Sequence, residues 1–301
     1  VTVAVRARRG YDAASGARRT APAEALGAST SSKEPRMNPI AILRARRLGL
    51  GAFLSAAMLA GPFVQARAAA DAPPAPAAPM AAPAPLPDYK ALLADPVRTE
   101  EDRKADERRK PADLLRFAQV RAGMNVLDLS AGGGYTTQLL ALAVGPGGNV
   151  WAQSGKPRPD LEKRLVAHPQ ANIHPLVRAF TDPYPAEAPR LDLITFILNY
   201  HDIVNAPVDR GAMNRKLFEA LKPGGHLVVV DHSAQAGSGL RDTKTLHRID
   251  EQSVVDELQQ AGFKLEARGD FLRLPGDPRT QAFFDIKDEM TDRFALRLLR
   301  P

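Results

Sequence analysis

Val126-Leu127-Asp128-Leu129-Ser130-Ala131-Gly132-Gly133-Gly134-Tyr135-Thr136-Thr137-Gln138-Leu139-Leu140 decides how the rest of the chain is read. Residues 126–129 are short and apolar, the pattern of a parallel strand covered on both faces. The three glycines allow backbone angles a side chain would forbid and let a ligand come close to the main chain. Leu139, Leu140, Leu142 and Ala143 follow at helical spacing. Such a strand, turn and helix start offers free N–H groups to a carboxylate or phosphate. Asp128 discriminates, because an acid at a strand end can meet an amino group or a hydroxyl. No Gly-Lys-Ser/Thr follows, which argues against a phosphate-cradling P-loop.

Working outward, strands and helices alternate. Strands are expected at 149–153, 172–177, 191–198, 227–230, 263–274 and 293–299. Helices are expected at 159–168, 208–221 and 251–261, the second stopped by Lys222-Pro223-Gly224-Gly225. Regular alternation of this kind predicts an α/β fold with a parallel, doubly wound sheet. Upstream, Pro111 fits a helix start. The charged run 100–109 reads as a solvated helical face or loop, with an active-site lid as the alternative.

The glycine run resembles motif I of class I S-adenosylmethionine-dependent methyltransferases, with Ser130 in place of the first glycine. Lys222-Pro223-Gly224-Gly225-His226-Leu227-Val228-Val229-Val230-Asp231 resembles the turn and fifth strand of that family. Asn199-Tyr200-His201-Asp202, Asp231-His232-Ser233 and Leu246-His247-Arg248-Ile249-Asp250 resemble a group of predicted periplasmic methyltransferases of bacteria. The likeness spans about residues 110–301. It implies a Rossmann-like class I methyltransferase fold, with a seven-stranded, mostly parallel sheet in the order 3-2-1-4-5-7-6 and helices on both faces. It also implies S-adenosylmethionine as cofactor. Asp128 would lie near the ligand's amino group, and Ser130, Gly132 and Gly134 would line its amino-acid end. The family's second strand ends in an acid that grips the ribose; Gln153 stands there, and an amide bonds a hydroxyl without charge assistance. Asp182 is a shifted candidate for the acid that approaches adenine. Trp151 reads as core, with stacking on the ligand's base as the alternative.

Ligands of open α/β sheets bind beyond the carboxyl ends of the strands. Three of the six histidines, His201, His232 and His247, fall on that rim. Methyl transfer needs an unprotonated acceptor, and a neutral imidazole can take its proton. His201 is the preferred base and His232 the second; Asn199 and Tyr200 would orient substrate or cofactor. His201, Asp202, His232 and His247 could also supply metal ligands. No His-x-x-x-His or His-Glu-x-x-His spacing is present, so no metal site is expected. No Gly-x-Ser-x-Gly elbow points to an α/β-hydrolase. Two rival readings stay open: a non-catalytic or altered-ligand binding protein on this fold, and a metal-dependent hydrolase.

The net charge is +7 over 301 residues. Residues 1–70 carry 11 Lys+Arg against 3 Asp+Glu, leaving 30 against 31 for the remainder. The basicity therefore sits in a leader, and no nucleic-acid partner is expected. With no cysteine, thiolate chemistry and disulfides are excluded. Residues 1–36 read as translated upstream sequence and 37–70 as a cleaved signal peptide, with Arg44, Arg46 and Arg47 before an apolar run. Residues 71–87 form an Ala/Pro-rich linker, and 88–301 the domain, opening with a helical segment at 88–121. The expectation is a periplasmic protein with no lasting membrane anchor, acting on a small molecule.

Overall fold

The computed structural model describes residues 85–301. The expected upstream segment, the signal peptide and most of the linker lie outside the described residues. Seven strands run in chain order: β1 Asn125–Leu129, β2 Asn149–Ser154, β3 Ile173–Val177, β4 Leu191–Ile197, β5 Leu221–His232, β6 Lys264–Gly269 and β7 Arg293–Leu299. They form one sheet in the order β3-β2-β1-β4-β5-β7-β6. The first five are parallel, and β7 inserts antiparallel between β5 and β6. Among the described residues no helix is long and apolar enough to cross a membrane.

Alternation along the strands divides the core into two layers. Leu127, Leu129, Ile194, Phe196, Leu227 and Val229 face one side. There they meet α7 Arg210–Ala220 through Leu217 and α8 Glu251–Gln260 through Leu258. Val126, Leu193, Val228 and Val230 face the other. They pack with Leu114 and Leu115 of α3 Pro111–Phe117 and Leu139 and Leu140 of α4 Tyr135–Val144. Each such side chain contributes about 1.5–3 kcal/mol when fully buried. Between Leu191 and Leu193 the β4–β5 register shifts, so Lys222–Gly225 is a bulge within β5 rather than a separate turn before it. The sixth strand stops at Gly269, five residues short of the expected end, and its missing Cβ makes room for the Phe271 ring.

After the short α1 Tyr89–Leu92, the charged run forms α2 Glu100–Arg109, which starts in a capping box between Thr99 and Asp102. It is more than a solvated face. Asp102, 4 % exposed, receives two bonds from Arg164 of α5 Pro159–Ala167, at 2.8 and 2.9 Å. Asp106 accepts from Arg98 and from the Tyr135 hydroxyl, at 2.6 and 2.7 Å. Arg109 lies 4.8 Å over the Tyr135 ring. The helix is thereby clamped to the start of α4. From the far end of the chain, Arg293 donates to the Arg108 carbonyl at 2.6 Å and Arg297 to the Phe117 carbonyl at 2.7 Å.

Candidate functional site at the carboxyl rim of the sheet

β1 delivers Asp128 to the edge of the glycine loop. Its carboxylate is 2 % exposed and accepts from Thr137 Oγ1 at 2.6 Å and Thr195 Oγ1 at 2.9 Å. Burial pushes its pKa up to about 6, partly offset by the two hydroxyls and by the Arg109 charge. Thr137 and Thr195 therefore belong to the site, although a threonine nine residues after an acid carries no recognisable pattern. Gly132 sits at φ +60°, and a Cβ there would meet nothing nearer than the Ser130 carbonyl at 4.0 Å. Its missing side chain leaves open space for a ligand. Gly134 serves a different purpose: a Cβ there would lie 2.7 Å from Leu161 and 3.0 Å from Arg164. It lets α5 pack onto the start of α4.

Ser130 and Leu198 both hold left-handed backbone angles, at φ 59° and 56°. Ser130 Oγ donates to Asn199 Oδ1 at 2.7 Å, tying the loop after β1 to the end of β4 across the switch point of the sheet. A small gap of about 10 Å³, room for one water, lies next to Leu198, lined by Arg109, Thr136, Ile197, Val230 and Arg293 among others. Arg109 and Arg293 are contributions the sequence reading did not single out. Burial, with Arg109 and Arg108 close by, lowers the Arg293 pKa to about 10.

Gln153 is fully buried. Its Oε1 accepts from the Ser130 N–H at 3.1 Å and its Nε2 donates to the Arg178 carbonyl at 2.7 Å. Both ends of the amide are thus spent on joining the loops after β1 and β3. Asp182 is half exposed and paired with Arg178 four residues back. Trp151 packs in the core, 5.3 Å edge-on to Tyr184.

The second half of the rim is built by α6 Tyr200–Val204, β5 and the loop that follows it. Tyr200 does not face a ligand. It is fully buried, donates to Glu257 Oε2 at 2.8 Å and accepts from Asn214 at 2.9 Å. One helical step turns it towards the core and leaves the next residue on the rim. His201 Nδ1 lies 2.7 Å from Asp231 Oδ1, and its backbone N–H donates to Asp231 Oδ2 at 2.9 Å. Its Nε2 lies 3.3 Å from Asp202 Oδ1. Burial alone would lower its pKa, but the Asp231 and Asp202 carboxylates outweigh it and raise the value to about 10. His201 is therefore an imidazolium at neutral pH when it stands with these partners alone, and the expected base is already protonated. His232 is the opposite case. Burial, with Arg293 and His201 nearby, holds its pKa well below the ordinary value. Its Nδ1 pairs with Thr291 Oγ1 at 2.7 Å, and its ring stacks on Phe283 at 4.6 Å. Of the two candidate bases, His232 is the neutral one.

His247 completes the cluster, its Nδ1 3.3 Å from Asp202 Oδ1 and its backbone at φ 52°. Its neighbours in sequence are braces. Arg248 is fully buried and grips both oxygens of Asp277, at 2.8 and 3.2 Å, plus the carbonyls of Ser233 and Gln281. Asp250 caps α8 and accepts from the Gly237 N–H at 3.0 Å. His174 and His226 are held away from the rim by Asn149 and Glu266.

No protein-family model matches the chain, and no curated protein matches its sequence. Solved structures match its fold. An S-adenosylmethionine-dependent methyltransferase from Aquifex aeolicus superposes with a TM-score of 0.50 at 18% identity, covering 71% of this chain and 99% of the other. The chain has the class I methyltransferase fold. A protein described as a candidate sarcosine dimethylglycine methyltransferase, from Galdieria sulphuraria, also gives a TM-score of 0.50 at 18% identity. That match covers 68% of this chain and 90% of the other. At these identities the likeness speaks for the fold, and the site must speak for the chemistry.

Proposed function

We propose that the chain binds S-adenosylmethionine beside Gly132 and transfers its methyl group to a small-molecule acceptor in the cell envelope. One observation carries the reading. Asp128 is a buried carboxylate that accepts from two neutral hydroxyls, beside a glycine face open to a ligand. A ligand ammonium there supplies a counter-charge where burial has raised the cost of ionisation. Ser130 and Asn199 flank the same opening, at the switch point where ligands of this sheet class bind. The envelope location rests on the leader read at residues 37–70.

Methyl transfer from a sulfonium is an in-line displacement: the acceptor's lone pair forms the new bond to carbon as the carbon–sulfur bond breaks. The departing thioether takes the bonding pair, and the acceptor's proton, where it has one, must leave. The low pKa that keeps the His232 imidazole neutral also makes it a weak base, so it would take that proton only as the acceptor is alkylated and becomes acidic.

A second reading is favoured by Gln153. It carries no charge and is already committed to main chain at both amide ends, so it lacks the grip of a carboxylate on a ribose, which fits a binding protein for a different ligand carrying an amine. Calorimetric titration of S-adenosylmethionine and S-adenosylhomocysteine into the full chain separates the two. Micromolar binding that disappears in Asp128→Ala supports methyl transfer. A folded chain that binds neither ligand removes that reading and leaves the second.

A further inference from the structure

The groups gathered around Asp202 do something the methyl-transfer reading leaves unused. We infer that His201 Nε2, His247 Nδ1 and Asp202 Oδ1 form a binding site for one divalent transition-metal cation. The inference is independent of the cofactor and of the reaction.

Geometry comes first. The three ligand atoms all lie within 4.8 Å of one another. The two histidine nitrogens each stand 3.3 Å from the same carboxylate oxygen. Metal–ligand bonds of about 2.0–2.2 Å place neighbouring ligands roughly 3–3.5 Å apart in tetrahedral or octahedral arrangements. Two of the three separations fall in that range, and the third, between the two histidine nitrogens, is no more than 4.8 Å.

The surroundings match how metal sites are built. A ligating imidazole commonly gives its other ring nitrogen to a carboxylate, which fixes the ring and raises its basicity. Asp231 stands in that position at 2.7 Å from His201 Nδ1, and holds the His201 backbone N–H as well. A cation bound at Nε2 takes the place of the proton shared there with Asp202, so two carboxylates face one divalent charge.

Access and strain agree with this. The His201 side chain is 3% exposed, whereas those of Asp202 and His247 are 46% and 32% exposed. The site is anchored on its inner side and open on its outer side, which leaves positions for water or a substrate oxygen. His247 is held in the left-handed region, a conformation that persists in a non-glycine residue only where the surroundings impose it. The Arg248 brace beside it supplies that constraint. Two imidazoles and one carboxylate with open positions suit zinc, iron(II), cobalt(II) or manganese(II) rather than calcium or magnesium. The ligands come from positions 201, 202 and 247, and His232 stays out of the set, paired with Thr291.

The test uses the full chain, stripped with a chelator and shown to be folded by near-ultraviolet circular dichroism. Zinc chloride is titrated by calorimetry, and cobalt(II) serves as an optical probe of ligand number. One equivalent should bind, and cobalt should give visible bands of a low-coordinate N/O site. His247→Ala, His247→Gln and Asp202→Asn should each abolish stoichiometric binding. Asp231→Asn should weaken it by about 10–100-fold, as expected for a carboxylate behind a ligand. His174→Ala should leave it unchanged. A folded chain that binds no zinc overturns the inference, as does binding that persists in both His247 variants. If both variants lose their fold, Asp202→Asn, altering a half-exposed side chain, decides the matter alone.

Discussion

The two halves of the carboxyl rim treat their polar groups in opposite ways. On the β1–β2–β3 side, each polar side chain at a strand end is bonded to the protein. Asp128 holds two threonines, Gln153 holds two main-chain groups, and Asp182 holds Arg178. What is left for a ligand there is mostly backbone and open space beside Gly132. On the β4–β5 side, ionisable groups face one another across a partly open cleft, and the residues that fix them stand one layer behind. The first half suits a ligand recognised by shape and one buried charge. The second suits a small, highly charged species. The two proposed sites would thus share one rim, with the Ser130–Asn199 bond joining its halves.

The comparison is tested most severely at the brace behind the second half. Arg248→Ala leaves Asp277 buried without its partner and should cost about 3–5 kcal/mol in urea unfolding. A loss below 1 kcal/mol would mean that the loop after β5 is held by something else. In the first half, Asp128 supplies a pH signature. Its folded pKa lies near 6, above the ordinary 3.8, so the folded state holds the proton more tightly than the unfolded chain. Stability from this group is full below about pH 4 and is lost as pH rises towards 6, on the order of 3 kcal/mol. Asp128→Asn should flatten that part of the pH–stability curve. S-adenosylmethionine, bringing an ammonium, should bind more tightly as pH rises through the same window. Next in size is Gln153→Glu. A carboxylate cannot donate to the Arg178 carbonyl, and the change should destabilise by about 1–3 kcal/mol without improving S-adenosylmethionine affinity. Tenfold tighter binding at unchanged stability would show instead that the side chain can turn to a ribose. The smallest effect belongs to Asp182→Ala, an exposed i,i+4 pair, which should shift stability by less than about 1 kcal/mol and leave ligand binding unaltered.

Sheet order and strand positions were legible because buried strands write themselves as apolar runs, and because the glycine turn and the Lys222–Gly225 segment resemble a known pattern. The behaviour of Gln153 was not legible. Its partners are the main-chain N–H of Ser130 and the carbonyl of Arg178, groups every residue carries. Tyr200 misled for a different reason. It stands at the end of a strand, where rim residues are expected, but it opens a helix, and that turn sends its ring inward beside Phe196. The charged run at 100–109 looked solvated because composition records charge, not partners; only Thr99-x-x-Asp102 marked it as a helix start. His247 meets His201 only through the fold, 5.4 Å between ring centroids, so no spacing along the chain announces the pair.

β7 is late in the chain but lies inside the sheet. Until it arrives, β5 presents a bare edge and β6 has no neighbour, while Arg293 and Arg297 cannot reach the carbonyls of α2 and α3 nearly two hundred residues away. Such long-range closure slows folding and keeps an association-prone edge exposed meanwhile. Assembly of this domain therefore waits on its last strand, and the half-made sheet is the form in which it is most exposed to chaperones, to proteases and to pairing with its own kind.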